Sequence, residues 1–334
     1  MSHLEQSRTI VVVGATGNQG SGVVRSLLTS TTASWRVRAL TRDPSSAKSQ
    51  AFLSANQTPD DRLVLVSGHV YDRASLISAF TGAYGVFAVT SEVYPFKVLE
   101  KEEEMMHEID AGRNMVDAAK ECGVKHFVFS TLPDMVKTTG GRYPGIHHMN
   151  NKHAIEQLAR KELDGYTGLI PGYFYTNLAW PQYSQRREDG VVCFVAPIPG
   201  GQVTQWTDPT YDMGIFAAKV FELGVPRTKD RNFLVLSPRI TADEMASTFT
   251  RVTGQPAVHV PNTADEFADM TAPFVGPAFR EDAKQMMEWA AVTPTDKVCF
   301  GAMDPQDDDS YEVLGVRAST FEDFLLRSGW KGPE

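Results

Sequence analysis

Short runs of apolar, mostly β-branched residues alternate along this chain with longer stretches in which apolar residues recur every three or four positions. A run that lacks polar/apolar alternation suits a strand covered on both faces, whereas three-to-four spacing draws one apolar stripe along a helix. On these grounds residues 11–13, 35–41, 63–66, 84–90, 125–130 and 166–170 read as six strands. Between them come a helix over 21–29, one after Asp43-Pro44 with Asp43 as its N-cap, and one opening at Tyr71-Asp72 and ending at Phe80. A single long helix over 100–122 follows, with Met106, Ile109, Met115, Val116 and Ala119 on its apolar side, an acidic front at Glu102, Glu103 and Glu104, and Gly123 closing it. Residues 147–160 form the next helix. Strict alternation of strand and helix predicts an α/β protein with a doubly wound parallel sheet.

The regularity stops near Tyr175. Beyond it lie a Pro- and Gly-rich connection at 196–201, a helix over 212–223, a strand near 232–236 and a helix after Thr241. The expected organisation is a Rossmann domain over 1–175 and a smaller C-terminal α+β lobe over 176–334 for a substrate or partner, parts of which pack back on the sheet. No internal repeat is visible.

Composition narrows the classes. At 334 residues, 42% hydrophobic and 22% charged, the chain has the make-up of a soluble globular protein. No stretch approaches the roughly 18 uninterrupted apolar residues of a membrane span. The first eight residues lack a basic-then-apolar leader, so a cytoplasmic protein is expected, with the nucleus also open to it. Cys122, Cys193 and Cys299 lie far apart without C-x-x-C spacing and read as reduced thiols. A net charge of −9 argues against direct nucleic-acid binding. The acids of loop 304–309 read as a solvated turn rather than a calcium loop, and no metal site is expected.

The first strand breaks into Gly14-Ala-Thr16-Gly17-Asn18-Gln19-Gly20. A strand, a glycine turn and a helix in that order form an anion cradle: Gly14 makes the turn, Gly17 lets backbone N–H groups approach a pyrophosphate, and Gly20 lets the helix pack on the strand. The second strand delivers Arg42 where an adenosine ribose is read. Arg42 with Lys48 nearby suits the 2′-phosphate of NADP, so NADP(H) is expected ahead of NAD(H). Thr90, Ser91, Ser130 and Thr131 fall at the carboxyl ends of strands, where open α/β sheets hold ligands. In the helix at 147–160, His148 and Lys152 stand four apart on one face. The aromatic series Tyr173, Phe174, Tyr175, Trp180 and Tyr183 follows the sixth strand, and two or three of its members are expected to line a pocket for a flat carbonyl or quinone.

The glycine motif, the Thr41-Arg42-Asp-Pro44 element, His148-x-x-x-Lys152 and Pro171-Gly-Tyr-Phe-Tyr-Thr-Asn177 together resemble the NmrA-like family, an atypical branch of the short-chain dehydrogenase/reductases. The resemblance spans nearly the whole chain. It implies an NAD(P) cofactor whose 2′-phosphate meets the residue matching Arg42, with Lys152 against the nicotinamide ribose and Pro171 and Tyr173 beside the cofactor. Where relatives often carry an Asp that contacts adenine, this chain has Gly68-His69-Val-Tyr-Asp72. Classical short-chain enzymes use Tyr-x-x-x-Lys, and here His148 stands at the tyrosine position. An imidazole titrates ordinarily near 6.5 and can serve as acid or base near neutrality, although a close Lys152 cation favours its neutral form. Lys152 is the second candidate, as in related isoflavone-reductase-like enzymes, and Tyr143, Tyr173 and Tyr175 are further proton donors from loops. His147, His148 and His153 are not read as a metal set, because only His148 and Lys152 share a face and no acidic partner is seen beside them. Two functions follow. One is an NADPH-dependent reductase acting on a small carbonyl, quinone or activated double bond, with Lys152 or His148 giving the proton and Ser130 or Thr131 orienting the substrate. The other is a non-catalytic NAD(P)-sensing regulator that binds a transcription factor or signalling protein.

Overall fold

The computed structural model describes residues 8–334, and the leaderless reading of the first residues falls largely outside that range. Seven parallel strands form the main sheet: β1 (Arg8–Val12), β2 (Trp35–Thr41), β3 (Leu63–Ser67), β4 (Gly85–Ala88), β5 (His126–Ser130), β6 (Tyr166–Pro171) and β7 (Arg231–Val235). Their spatial order is β7-β6-β5-β4-β1-β2-β3. The order reverses between β1 and β4, which opens a crevice at the strands' carboxyl ends.

Covering both faces explains the missing alternation in the sequence. Ile10 and Val12 point into one apolar layer, with Val23, Val24 and Leu27 of α1 (Asn18–Thr29). Val11 and Val13 point into the opposite layer, with Leu76 and Phe80 of α3 (Arg73–Phe80), Met115 and Val116 of α4 (His107–Glu121), and Ile155 of α5 (His147–Glu162). Helix α2 (Ala47–Asn56) is capped by Ser46, whose side chain accepts from the Ser49 N–H. Asp43 therefore is not the helix cap; it closes the preceding turn by accepting from the N–H and hydroxyl of Ser45, at 2.8 and 2.6 Å. Asp72 does cap α3. The long helix expected over 100–122 is two pieces, a 3-10 turn at Glu102–Met106 and then α4, and Met106 at the joint is half exposed.

Beyond Tyr175 the chain makes a lobe and also returns to the sheet. Strand β7 pairs with β6, Phe233 beside Leu169, so the sheet has seven strands where six were read. The helix α6 (Asp212–Leu223) covers the same face as α1, and the two approach so closely that a Cβ on Gly214 would lie 2.5 Å from the Gly22 carbonyl oxygen. The other elements, including α7 (Ala264–Val275) and α8 (Arg280–Val292), gather around a separate aromatic core of Tyr175, Trp206, Phe249, Phe267, Phe321 and Phe324. Among the described residues no helix is long and apolar enough to cross a membrane.

Candidate functional site

The glycine turn after β1 is built around backbone contacts that side chains would break. Gly14 has a φ of +70°, and a Cβ on Gly20 would lie 2.3 Å from the Gly14 carbonyl oxygen. Gly17 donates its N–H to that same oxygen at 2.9 Å and forms the N-cap of α1 without a side-chain cap, which leaves the first-turn N–H groups for an anion. From this turn a groove of about 720 Å³ runs past Thr16, Thr41, Arg42 and Lys48 on one side and Thr90 and Phe96 on the other. The Arg42 guanidinium lies over the exposed Phe96 ring, 5.0 Å from its centroid. Tyr71, also in the groove, stacks on Tyr94 at 4.6 Å and donates its hydroxyl to His107 Nδ1 at 2.5 Å. A dinucleotide's elongated, anionic middle fits this arrangement because the glycine cradle admits phosphate; the buried Oε1 of Gln19 beside it, an acceptor without a partner, suits a hydroxyl or an amide N–H of such a ligand.

Asn18, Gln19, Thr90 and Phe174 line both this groove and a second cavity of about 340 Å³, so the two are continuous. Strand ends β5 and β6 bring Ser130 and Pro171 to the cavity; α5 brings His148 and Lys152; Tyr173, Trp180 and Tyr183 close it from the segment after β6. Phe267 of α7 and Met286 of α8 supply the wall from the C-terminal lobe.

Two buried acids define the charge state of this wall, and both contradict the expectation that no acid adjoins His148 and Lys152. Lys152 Nζ is ion-paired with Glu108 of α4, and Thr90 donates its hydroxyl to the same Glu108 oxygen at 2.6 Å. Burial acts to lower the Lys152 pKa, but Glu108, then Glu92 and Asp282, outweigh it, so the ammonium is held above its ordinary range. The second acid is Asp282 of α8, fully buried: one oxygen accepts the His148 backbone N–H at 2.7 Å and the other contacts His148 Nδ1 at 2.5 Å. A carboxylate only accepts, so Nδ1 carries the hydrogen and Nε2 is the nitrogen left for the cavity.

Two residues expected in the pocket do not reach it. Tyr175 is buried in the lobe core, stacked on Trp206 at 5.7 Å, and Thr131 is buried behind the wall, donating to Glu156 at 3.0 Å. Of the loop tyrosines considered as donors, Tyr143 packs on Trp289 and only Tyr173 lines the cavity. Burial pushes the Tyr173 phenol far above its ordinary range, which makes it a poor acid. Glu108 and Asp282 escaped the sequence reading, yet a signal was present. Each is an acid on an otherwise apolar helical stripe: Glu108 precedes Ala111, Gly112 and Met115, and Asp282 precedes Ala283, Met286 and Met287, all buried.

The profile of the NmrA-like family matches residues 6–325. The NmrA-like family domain-containing oxidoreductase malD of Malbranchea aurantiaca is 30% identical over 268 residues, 76% of this chain and 75% of its own length. Among solved structures, the negative transcriptional regulator Nmra in complex with NAD superposes with a TM-score of 0.74 at 18% identity, covering 96% of this chain and 94% of Nmra. An NADPH-dependent quinone oxidoreductase of Escherichia coli complexed with NADPH superposes at 0.68 and 18% identity, over 96% of this chain and 100% of that one. At these identities the structural likeness is one of fold.

Proposed function

The chain belongs to the NmrA-like family, and from that premise we propose that it is a reductase that binds a nicotinamide dinucleotide, NADP(H) ahead of NAD(H), and reduces a small carbonyl, quinone or activated double bond. The observation that carries this reading is the continuity of the glycine-cradled groove with a cavity whose wall presents His148, Lys152 and Ser130. The name of malD as an oxidoreductase and the NADPH bound to the bacterial quinone oxidoreductase point the same way.

The dinucleotide supplies the hydride. Gly14, Gly17 and Gly20 hold its phosphates, Thr16, Asn18 and Gln19 border it, and Arg42 and Lys48 meet the 2′-phosphate at the rim. Lys152, fixed by Glu108, places a permanent positive charge at the nicotinamide end. His148 transfers the proton: Asp282 holds Nδ1–H, so Nε2 faces the substrate, and the imidazolium form gives up its proton as the substrate oxygen gains charge. Ser130 orients the substrate, and Tyr173, Phe174 and Trp180 exclude water from it.

The test is NADPH oxidation by the purified protein across quinones, aromatic aldehydes and enones, with Lys152→Ala and His148→Ala alongside. Turnover that falls at least tenfold in both variants supports the reading. Dinucleotide binding without turnover on any acceptor overturns it and leaves the NAD(P)-sensing regulator, whose partner is a protein.

A further inference from the structure

Gln182 lies in the wall of the cavity, fully buried, and neither its Nε2 nor its Oε1 has a hydrogen-bond partner. Among the described residues no other buried side chain has two unpartnered polar atoms. An unpaired buried amide costs free energy at both ends, and a fold retains such a group where something else completes it. Its companions in the wall do not: neither amide atom of Gln182 is bonded to Trp180, Tyr183, Phe267 or Thr271, and the Thr271 hydroxyl donates to the Phe267 carbonyl at 2.8 Å. The completing group therefore comes from a ligand in the cavity.

The wall also restricts that ligand's charge and shape. Its charged or titratable members besides tyrosines are Glu92, His148 and Lys152, and Lys152 is already matched by Glu108. No uncompensated cation is there to hold a carboxylate or phosphate, so the ligand carries no anionic group. The aromatic surfaces favour a flat ring. A primary amide offers one donor and one acceptor side by side, and its two-point complement is an N–H adjacent to a C=O held cis, as in a lactam ring.

We propose that Gln182 is the specificity-determining residue of this cavity and selects a planar, neutral lactam or cyclic amide by two parallel hydrogen bonds, Nε2–H donating to the ring carbonyl and Oε1 accepting from the ring N–H. This rests on reading the cavity as the substrate site, and it adds the substrate class that the dinucleotide groove leaves open.

Calorimetric titration of the full chain saturated with NADP⁺ tests it, with isoquinolin-1(2H)-one as the probe and its N-methyl derivative as the probe lacking the donor. The lactam should bind at least thirtyfold more tightly than the N-methyl compound, because a site built around a hydrogen bond rejects the analogue that leaves its polar groups unpaired. Gln182→Met, of similar length, should bind the two equally. Gln182→Glu should prefer 1-aminoisoquinoline in its ring-protonated form, whose ring N–H and exocyclic N–H both donate to the carboxylate, and it keeps the test available if the methionine variant does not fold. Equal binding of both probes by the unaltered protein, no binding of either, or discrimination surviving in Gln182→Met overturns the proposal. The readout is binding, so a lack of turnover on quinones or enones would remove the reductase reading while leaving this one decided on its own constants.

Discussion

The dinucleotide groove and the neighbouring cavity are built by different means. The groove is a product of backbone: its central part comes from one contiguous stretch, Gly14 to Gly20, and its principal constraint is that no Cβ fits between Gly20 and the Gly14 carbonyl. The cavity is a product of side chains drawn from distant parts of the chain. Its polar wall needs α5 for His148 and Lys152, α4 for Glu108 and α8 for Asp282, and each working group is paired with a buried acid on another helix. A backbone site is broken most directly at its glycines. A site of buried ion pairs fails when either partner is lost, because the remaining charge stays buried without compensation.

The largest effect should come from breaking that compensation. In Glu108→Gln the Lys152 ammonium remains buried with a neutral amide beside it, so stability should fall by about 3–5 kcal/mol, read as a drop in the denaturant midpoint. A loss within 0.5 kcal/mol, about the level of a neutral surface change, would mean that the pair is not the support of the cavity wall. In contrast, Gly20→Ala strikes the groove. Its Cβ meets a backbone oxygen that cannot rotate away, so NADPH affinity should fall by about a hundredfold, roughly 2.7 kcal/mol, while the cavity's pairs remain. If Gly20→Ala bound normally, the cradle would be adaptable and the contrast between the two regions would collapse.

This contrast also explains what could be read from the sequence. A backbone requirement prints itself locally: three glycines, a strand before and a helix after were enough to place the groove, and Arg42 and Lys48 do lie on its rim. The sheet was legible because β1 to β6 are apolar runs, and the seventh strand was seen but not placed, since an edge pairing between β6 and β7 has no local mark. The cavity was half legible. His148 and Lys152 share a helix face and so could be paired by spacing, whereas Asp282 lies 134 positions from His148 and meets it only through the packing of α8 against α5. Tyr175 and Thr131 were misplaced because strand-end position does not reveal which way a side chain faces: Tyr175 turns into the Trp206 stack and Thr131 toward Glu156.

Within the cavity, Asp282→Asn separates positioning from stability. Aspartate accepts with both oxygens, one from the His148 N–H and one from Nδ1–H; asparagine has one acceptor, so it must lose one of these bonds or flip the imidazole tautomer. We expect kcat to fall by about thirtyfold, within the range that general acid catalysis supplies, with NADPH affinity within twofold. The pH profile assigns the proton. Because the folded Lys152 pKa is raised above 10.5, the ion pair's contribution is fully present below that pH and is lost only as pH rises through the folded value. Lys152 therefore adds no limb between pH 6 and about 9. A rate limb in that window should disappear in His148→Gln; its persistence would return the proton transfer to another group.

The smallest effect belongs to the outer edge of the groove, where backbone gives way to exposed side chains. Arg42 stands at the end of β2 with its guanidinium over the Phe96 ring, open to solvent, so its charge acts through water and its contribution should be modest. Arg42→Ala should weaken NADPH about tenfold, near 1.4 kcal/mol, and NADH less than twofold, measured by fluorescence titration at low ionic strength. The difference should shrink as salt is added, since an exposed pair is screened within about 10 Å at 0.1 M. Equal losses for the two dinucleotides would assign Arg42 to stacking alone. In that case Phe96→Ala should reproduce the Arg42→Ala losses, because the two side chains form one stacked unit and removing either dismantles it. A selective loss of NADPH in Arg42→Ala that is absent in Phe96→Ala would instead separate the charge from the stack and leave the 2′-phosphate as the group that Arg42 reads.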